Sequence, residues 1–283
     1  MNEPLVSIVI PTFERPELLE RACKTACSQT YDNIEIIVVD DASRVSYEKA
    51  LEKLSTLKNF KYIKRNKNGG GSAARNTGIE AANGKFIAFL DDDDIWENSK
   101  IQKQMNLIGK TVRAAHCGYQ LLSSGTNRIE PYDVIALKEL SENNKLASTT
   151  GLLCDTDILR DLKFDESLHR SQDWDLYLRI AKITNFAYVR EALYVYDDGD
   201  HARMSNRFSK LTISQYKLKL DMLKKHRNTL IPAAYRKHVA DLILPSLKNR
   251  HDKIEIIKFC INEIGILSTS YHLLRIILNK VIK

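Results

Sequence analysis

Apolar positions in the first hundred residues alternate between two rhythms. Val6 to Ile10 is a short, continuous apolar run ended by Pro11, which predicts a strand buried on both faces of a parallel sheet. Helical spacing follows. Pro16 suits a first turn, and Leu18, Leu19, Ala22, Cys23 and Ala26 recur every three or four residues as one stripe. Ile34 to Val39 predicts a second strand, ending in Asp40 and Asp41, and Tyr47, Ala50, Leu51, Leu54 and Leu57 predict a second helix. Phe60 to Ile63 reads as a third strand. A glycine-rich loop, Asn66 to Gly71, then opens onto a helix over 72–82 that Gly84 stops, and Phe86 to Leu90 reads as a fourth strand.

The alternating order predicts an α/β fold, a mostly parallel, right-handed, doubly wound sheet flanked by helices. From Val112 to Tyr196 the pattern is mixed. Short strands are expected near 113–117, 151–154 and 186–196, with an apolar helix from about Trp174 to Ala181, and this part should complete the sheet. Residues 197–206, DDGDHARMSN, form a polar turn suited to a lid. Beyond it, Ile213, Tyr216, Leu220 and Leu223 share one helix face, so residues 1–205 read as the sheet domain and 206–283 as a helical extension.

A chain of 283 residues with 43% hydrophobic content can bury a large core, which excludes a disordered chain. The start, MNEPLVSIVIPTF, lacks the basic and long apolar regions of a secretory signal, and no run reaches the roughly 18 apolar residues of a membrane span. A cytoplasmic protein is expected. Five scattered cysteines then read as small buried apolar residues, with neither disulfide nor zinc spacing. The net charge of +7 is uneven: residues 206–283 hold 16 Lys+Arg and 5 Asp+Glu, leaving 27 and 31 in residues 1–205. Basic amphipathic helices in that tail suit an anionic membrane surface, or a helical cap or homodimer contact with a solvated basic face. The tail has too few aromatics beside its cations for nucleic acid.

In open sheets of this type ligands bind beyond the carboxyl ends of the strands. There the fourth strand runs into FLDDDDIW. Four adjacent carboxylates repel one another unless water or a cation relieves them, and a hard divalent ion such as Mg²⁺ or Mn²⁺ prefers oxygen ligands. Asp41, at a neighbouring strand end, can accept hydrogen bonds from a base edge or ribose, or cap the following turn. The first crossover has no GxGxxG, which argues against a dinucleotide-binding domain. Asp173 opens the helix WDLYLRIAK, where a carboxylate is held rigidly enough to act as a base; N-capping is the plainer role, and Asp175 competes with it.

VSIVIPTFERPELLERACKTACSQTYDNIEIIVVDDAS, GGGSAARNTGIEAANGKFIAFLDDDDIW and SQDWDLYLRI resemble the successive signatures of glycosyltransferase family 2, across roughly residues 5–205. The pattern is most similar to bacterial enzymes that build exopolysaccharide, capsule or O-antigen repeats. The resemblance implies a GT-A fold, with a nucleotide-binding half over about 1–110 and an acceptor half over about 111–205. It implies an inverting transferase using a nucleotide-sugar donor, with UDP favoured, and a glycan or polyprenyl-diphosphate-linked acceptor. Such an enzyme would lie in the cytoplasm or peripherally on the inner face of the membrane.

Carried onto this chain, the resemblance places Pro11, Thr12 and Glu14 in the nucleotide pocket, Asp41 on the base and Arg75 toward the donor. Asp93 becomes the direct ligand of Mn²⁺ or Mg²⁺, with Asp91 and Asp92 toward ribose or outer waters, Asp91 being also a metal candidate. Asp173 becomes the catalytic base, in a motif usually written Glu-Asp but here Gln172-Asp173, which removes one neighbouring negative charge. His201 becomes a lid histidine closing on the diphosphate or metal, with Arg203 and Ser205 as weaker candidates. Two other functions share parts of this pattern. One is a sugar nucleotidyltransferase, although the first loop, PTFERPE, lacks the glycine-rich basic sequence it would need. The other is a catalytically silent protein that only binds nucleotide sugar.

Overall fold

A computed structural model of the chain describes residues 3–54, 59–199, 211–249 and 251–281. Its first elements are β1 (Val6–Thr12), α1 (Pro16–Cys27), β2 (Ile34–Asp40), α2 (Glu48–Leu54), β3 (Phe60–Lys64), α3 (Gly70–Ala81) and β4 (Phe86–Phe89), the alternation the periodicity predicts. β1 is buried along its whole length because it pairs in parallel with β2 on one side and β4 on the other. The α1 stripe of Leu19, Ala22, Cys23 and Ala26 is buried in the core on one face of the sheet. On α3, a side chain at Gly78 would come within 2.3 Å of Val9 Cγ1, so glycine lets this helix lie close on β1. Arg75 lies one turn earlier on α3.

The chain continues through β5 (Ile95–Trp96), α4 (Lys100–Met105), β6 (Ala114–Leu121), β7 (Asn127–Arg128), β8 (Val134–Ile135) and α5 (Leu137–Glu142). A single 3-10 turn at Thr149–Gly151 precedes β9 (Leu153–Asp155), α6 (Thr156–Leu162), α7 (Gln172–Ile180) and β10 (Phe186–Tyr196). The ten-stranded sheet has the order β3-β2-β1-β4-β9-β6-β10-β5, with β7 on β6 and β8 on β10. Its first four strands are parallel. β9 then runs antiparallel to both β4 and β6, β10 is parallel to β6, and β5 is antiparallel to β10, so the sheet is mixed. Cys23, Cys117, Cys154 and Cys260 are buried, Cys27 is half-buried, and all five are free thiols.

The described residues form two compact units. The sheet and its helices make the first. The second gathers residues 141–143, 167–171 and the described chain from 211 on. It is built of α8 (Ile213–Lys225), α9 (Pro232–Ile243), α10 (Lys253–Ile264) and α11 (Ile266–Val281). Thr212 and Gln215 close a reciprocal cap on α8, which buries Tyr216, Leu220, Met222 and Leu223. Ile213, expected on that face, is only partly buried. Leu267, Tyr271, Leu274 and Leu278 line one exposed side of α11. Among the described residues no helix is long and apolar enough to cross a membrane.

Candidate active site at the carboxyl ends of the strands

β1 and β2 end side by side, with Thr12 opposite Asp40, and β4 ends two residues before Asp91. The acidic segment closes on itself as a turn, the Asp94 N–H donating to the Asp91 carbonyl at 3.1 Å. This brings carboxylate oxygens of Asp91, Asp93 and Asp94 within 4.8 Å of one another. Three hard oxygen donors at that spacing fit a divalent cation of the Mg²⁺ or Mn²⁺ type. Asp93 and Asp91 are the ligands expected; Asp94 joins them because the turn folds the fourth aspartate back toward the first.

Asp92 faces elsewhere. It accepts from Thr12 Oγ1 at 2.7 Å and from Arg15 at 3.2 Å. Burial lifts its carboxyl to about 6, against the lowering effect of the Thr12 bond, and the Asp93 charge adds to the rise while Arg15 opposes it. Asp94 is pushed well above the usual carboxylate range, first by burial and then by the charges of Asp91 and Asp93. Its compensating donors are the Thr150 hydroxyl at 2.5 Å and the Asp197 N–H at 3.0 Å. Arg15 also reaches Asp93 at 3.1 Å, while Arg21 donates to the Asp93 carbonyl and pairs with Asp197 at 3.1 Å.

Arg75 links this loop to α7. It is ion-paired with Asp91, sits 5.6 Å from the Phe164 ring centre, and its charge also lowers the Asp173 pKa. Asp173 lies in the first turn of α7 and accepts from Asn144 Nδ2 at 3.0 Å. Burial raises its pKa, opposed by the Trp174 N–H, Asn144 and Arg75 in that order. The rival carboxylate, Asp175, is fully buried and paired with Arg179 at 2.7 Å. In this group the Arg75 Nε and the Tyr177 hydroxyl are buried without a hydrogen-bond partner, and the charges of Asp173, Arg75 and Asp91 all act on Tyr177.

The remaining expected residues sit at the ends of β1 and β2. Pro11 and Thr12 are buried in β1. Glu14 has a φ of 59° and its carboxylate accepts from the Arg44 N–H at 2.7 Å. Asp41 accepts from the Gly69 N–H at 3.1 Å and the Gly70 N–H at 2.6 Å, and is ion-paired with Arg65. It therefore anchors the glycine-rich loop to the strand end. Phe13, between Thr12 and Glu14, is 43% exposed at the mouth of these strands. His201, Arg203 and Ser205 lie outside the described residues.

Asp94, Arg15, Arg21, Asn144, Ser148 and Thr150 were not picked out from the sequence. Asp94 was visible as the fourth residue of DDDD, and Arg15 and Arg21 stand in the first helical segment, but their partners lie more than 70 residues away. Nothing local marks Asn144, Ser148 or Thr150.

A sequence model described as Glycosyl transferase family 2 matches residues 7–176. An uncharacterized glycosyltransferase of Rickettsia bellii is 32% identical over 195 residues, 64% of this chain and 28% of that protein. This chain thus spans less than a third of that relative's length. The amylovoran biosynthesis glycosyltransferase AmsB of Erwinia amylovora is 29% identical over 201 residues, 65% of this chain and 66% of its own. Among solved structures, S. aureus TarS residues 1–349 in complex with UDP-GlcNAc superposes with a TM-score of 0.70 at 18% identity, covering 92% of this chain and 81% of that one. At that identity the likeness concerns the fold.

Proposed function

The chain belongs to glycosyltransferase family 2, and from that premise we propose that it is a metal-dependent, inverting enzyme that transfers a sugar from a nucleotide-sugar donor to a hydroxyl acceptor. The observation that carries this reading is the gathering of Asp91, Asp93 and Asp94 carboxylate oxygens within 4.8 Å of one another beyond β4, with Arg75 ion-paired to Asp91. A UDP-sugar is the favoured donor, since the fold neighbour TarS was solved with UDP-GlcNAc.

Asp91, Asp93 and Asp94 would hold Mn²⁺ or Mg²⁺, which supplies positive charge for the diphosphate that leaves. Pro11, Thr12, Glu14 and Asp41 would frame the nucleoside, Asp92 would hold Thr12 in that frame, and Arg75 would face the donor. Asp173 takes the acceptor's hydroxyl proton as that oxygen forms its bond to the anomeric carbon. On the opposite face, the bond from that carbon to the diphosphate oxygen breaks and its electron pair leaves with the diphosphate. A single displacement inverts the anomeric centre. The raised pKa of Asp173 suits a base, because proton affinity nearer neutral pH gives more driving force for the transfer. A lid role for His201 is part of the same reading.

The acceptor in this reading is a glycan or polyprenyl-diphosphate-linked saccharide of surface polysaccharide synthesis, as the sequence resemblance implies, and the relative AmsB is named for amylovoran biosynthesis. Such an acceptor lies at a membrane, and two features of the second unit suit an anionic bilayer on its cytoplasmic side. One is the excess of 16 Lys+Arg over 5 Asp+Glu in residues 206–283; the other is the exposed α11 stripe, with Leu267 84% exposed. A homodimer contact is the competing use of that stripe. Flotation with phosphatidylglycerol vesicles tests this: binding that fails with Leu267→Ser and Leu274→Ser supports the membrane role, and no binding removes it. The transfer itself is tested by a donor panel with wild type and Asp173→Asn, where loss of transfer with donor binding retained is expected.

A further inference from the structure

We propose that Thr150 is a positioning residue for the cation site, its hydroxyl fixing the spacing between Asp91 and Asp94. This rests on the reading of Asp91, Asp93 and Asp94 as metal ligands. Thr150 Oγ1 stands between the two residues at the ends of the acidic turn: it accepts from the Asp91 N–H at 3.2 Å and donates to Asp94 Oδ2 at 2.5 Å. One hydroxyl thus ties the backbone of the first carboxylate to the side chain of the last. Ser148 adds a longer contact, 3.5 Å, to Asp91 Oδ2, and itself accepts from the Thr150 N–H at 3.2 Å.

The turn that carries these hydroxyls is braced from behind by an unusual set of buried polar groups. Trp96 Nε1 donates to the Thr150 carbonyl at 3.1 Å, Gln104 Nε2 to the Gly151 carbonyl at 2.7 Å, and His116 Nε2 lies 3.1 Å from the Ser148 carbonyl. Gln104 is held in turn by Lys100 Nζ at 2.8 Å, and that ammonium lies 4.1 Å from the centre of the Trp96 ring. Lys100, Gln104 and His116 are each fully buried. Residue 151 must be glycine here, since a side chain would fall within 2.1 Å of the imidazole. Sinking a lysine and a histidine into a core is costly unless they are hydrogen-bonded; His116 reaches this turn directly through the Ser148 carbonyl, with its other nitrogen on the Cys117 carbonyl, and Lys100 reaches it through Gln104. A brace of this kind leaves the turn's backbone one arrangement, and so gives the Thr150 hydroxyl a fixed place between the carboxylates.

The test compares Thr150→Val, which keeps the shape and removes the hydroxyl, with Thr150→Ser, which keeps the hydroxyl. Mn²⁺ affinity is read from the electron paramagnetic resonance of the free ion, and thermal melting is followed alongside. Outer-sphere partners of metal ligands typically change affinity 10- to 100-fold, so Thr150→Val should weaken Mn²⁺ binding by about tenfold and Thr150→Ser by about twofold or less. The loss should persist at temperatures where both variants are folded. Equal Mn²⁺ affinity in wild type and Thr150→Val would overturn the proposal, as would equal losses in Val and Ser. A wild type that binds no Mn²⁺ would instead remove the metal reading on which the proposal stands.

Discussion

Adjacent aspartates follow β2 and β4, the two strands that flank β1 in this sheet, and the protein treats the two groups in opposite ways. After β2, Asp40 accepts from the Ser43 N–H at 2.8 Å and the Tyr62 hydroxyl at 2.7 Å, and Asp41 from Gly69, Gly70 and Arg65. Each carboxylate there is answered by donors that also fasten a loop. After β4, three carboxylates are instead turned toward one another, and the charges of Asp91 and Asp93 add to the burial that lifts Asp94 well above its ordinary range. At that loop one cation, Arg15, is shared between Asp92 and Asp93. The contrast separates a carboxylate that holds the fold from one that holds unspent repulsion, and only the second kind gains strongly from an added cation.

Substitutions can break or sharpen this contrast. The largest effect is expected at the base: Asp173→Asn should lower kcat by about 10³-fold with KM nearly unchanged, read by steady-state transfer assays. At the β2 end, Asp41→Asn should act first on stability. Losing the charged acceptor of two backbone N–H groups and Arg65 should cost about 2 kcal/mol and lower Tm by roughly 5 °C, measured by calorimetry. Because Asp41 also frames the nucleoside in the proposed reading, KM for the donor should rise alongside; a rise in KM with Tm unchanged would remove the anchoring role, and the contrast would fail. The smallest effect concerns pH. Because burial raises the Asp173 pKa, kcat/KM should fall on the acid side above the ordinary carboxylate range. Asn144 lowers that pKa through its hydrogen bond, so Asn144→Ala should move the acid limb to higher pH while leaving the plateau nearly intact, a shift read from the pH profile.

The parallel half of the sheet was legible because its strands are buried on both faces and its helices expose one side, so each declares itself locally. Val6–Thr12, Pro16–Cys27 and Phe86–Phe89 needed little beyond spacing. β9 was different. Its three residues wedge antiparallel between β4 and β6, and that pairing depends on partners 40 to 70 residues away. Strands of two residues, such as Ile95–Trp96, carry no periodicity to detect. Within the site, DDDD announced crowded charge, but four identical residues could not show that Asp92 turns to Thr12 while Asp94 turns back to Asp91. The residues that decide those directions, Thr150 and Arg15 among them, reach the loop only through the fold.

The most direct test of a cation-bearing transferase site is release of nucleoside diphosphate from UDP-, GDP- and dTDP-sugars, with Mn²⁺ or with EDTA, by wild type and Asp93→Ala. The account predicts release from one donor, most readily a UDP-sugar, that stops with EDTA and falls at least about 100-fold in Asp93→Ala. Release that is indifferent to EDTA, or an Asp93→Ala variant as fast as wild type, would contradict it.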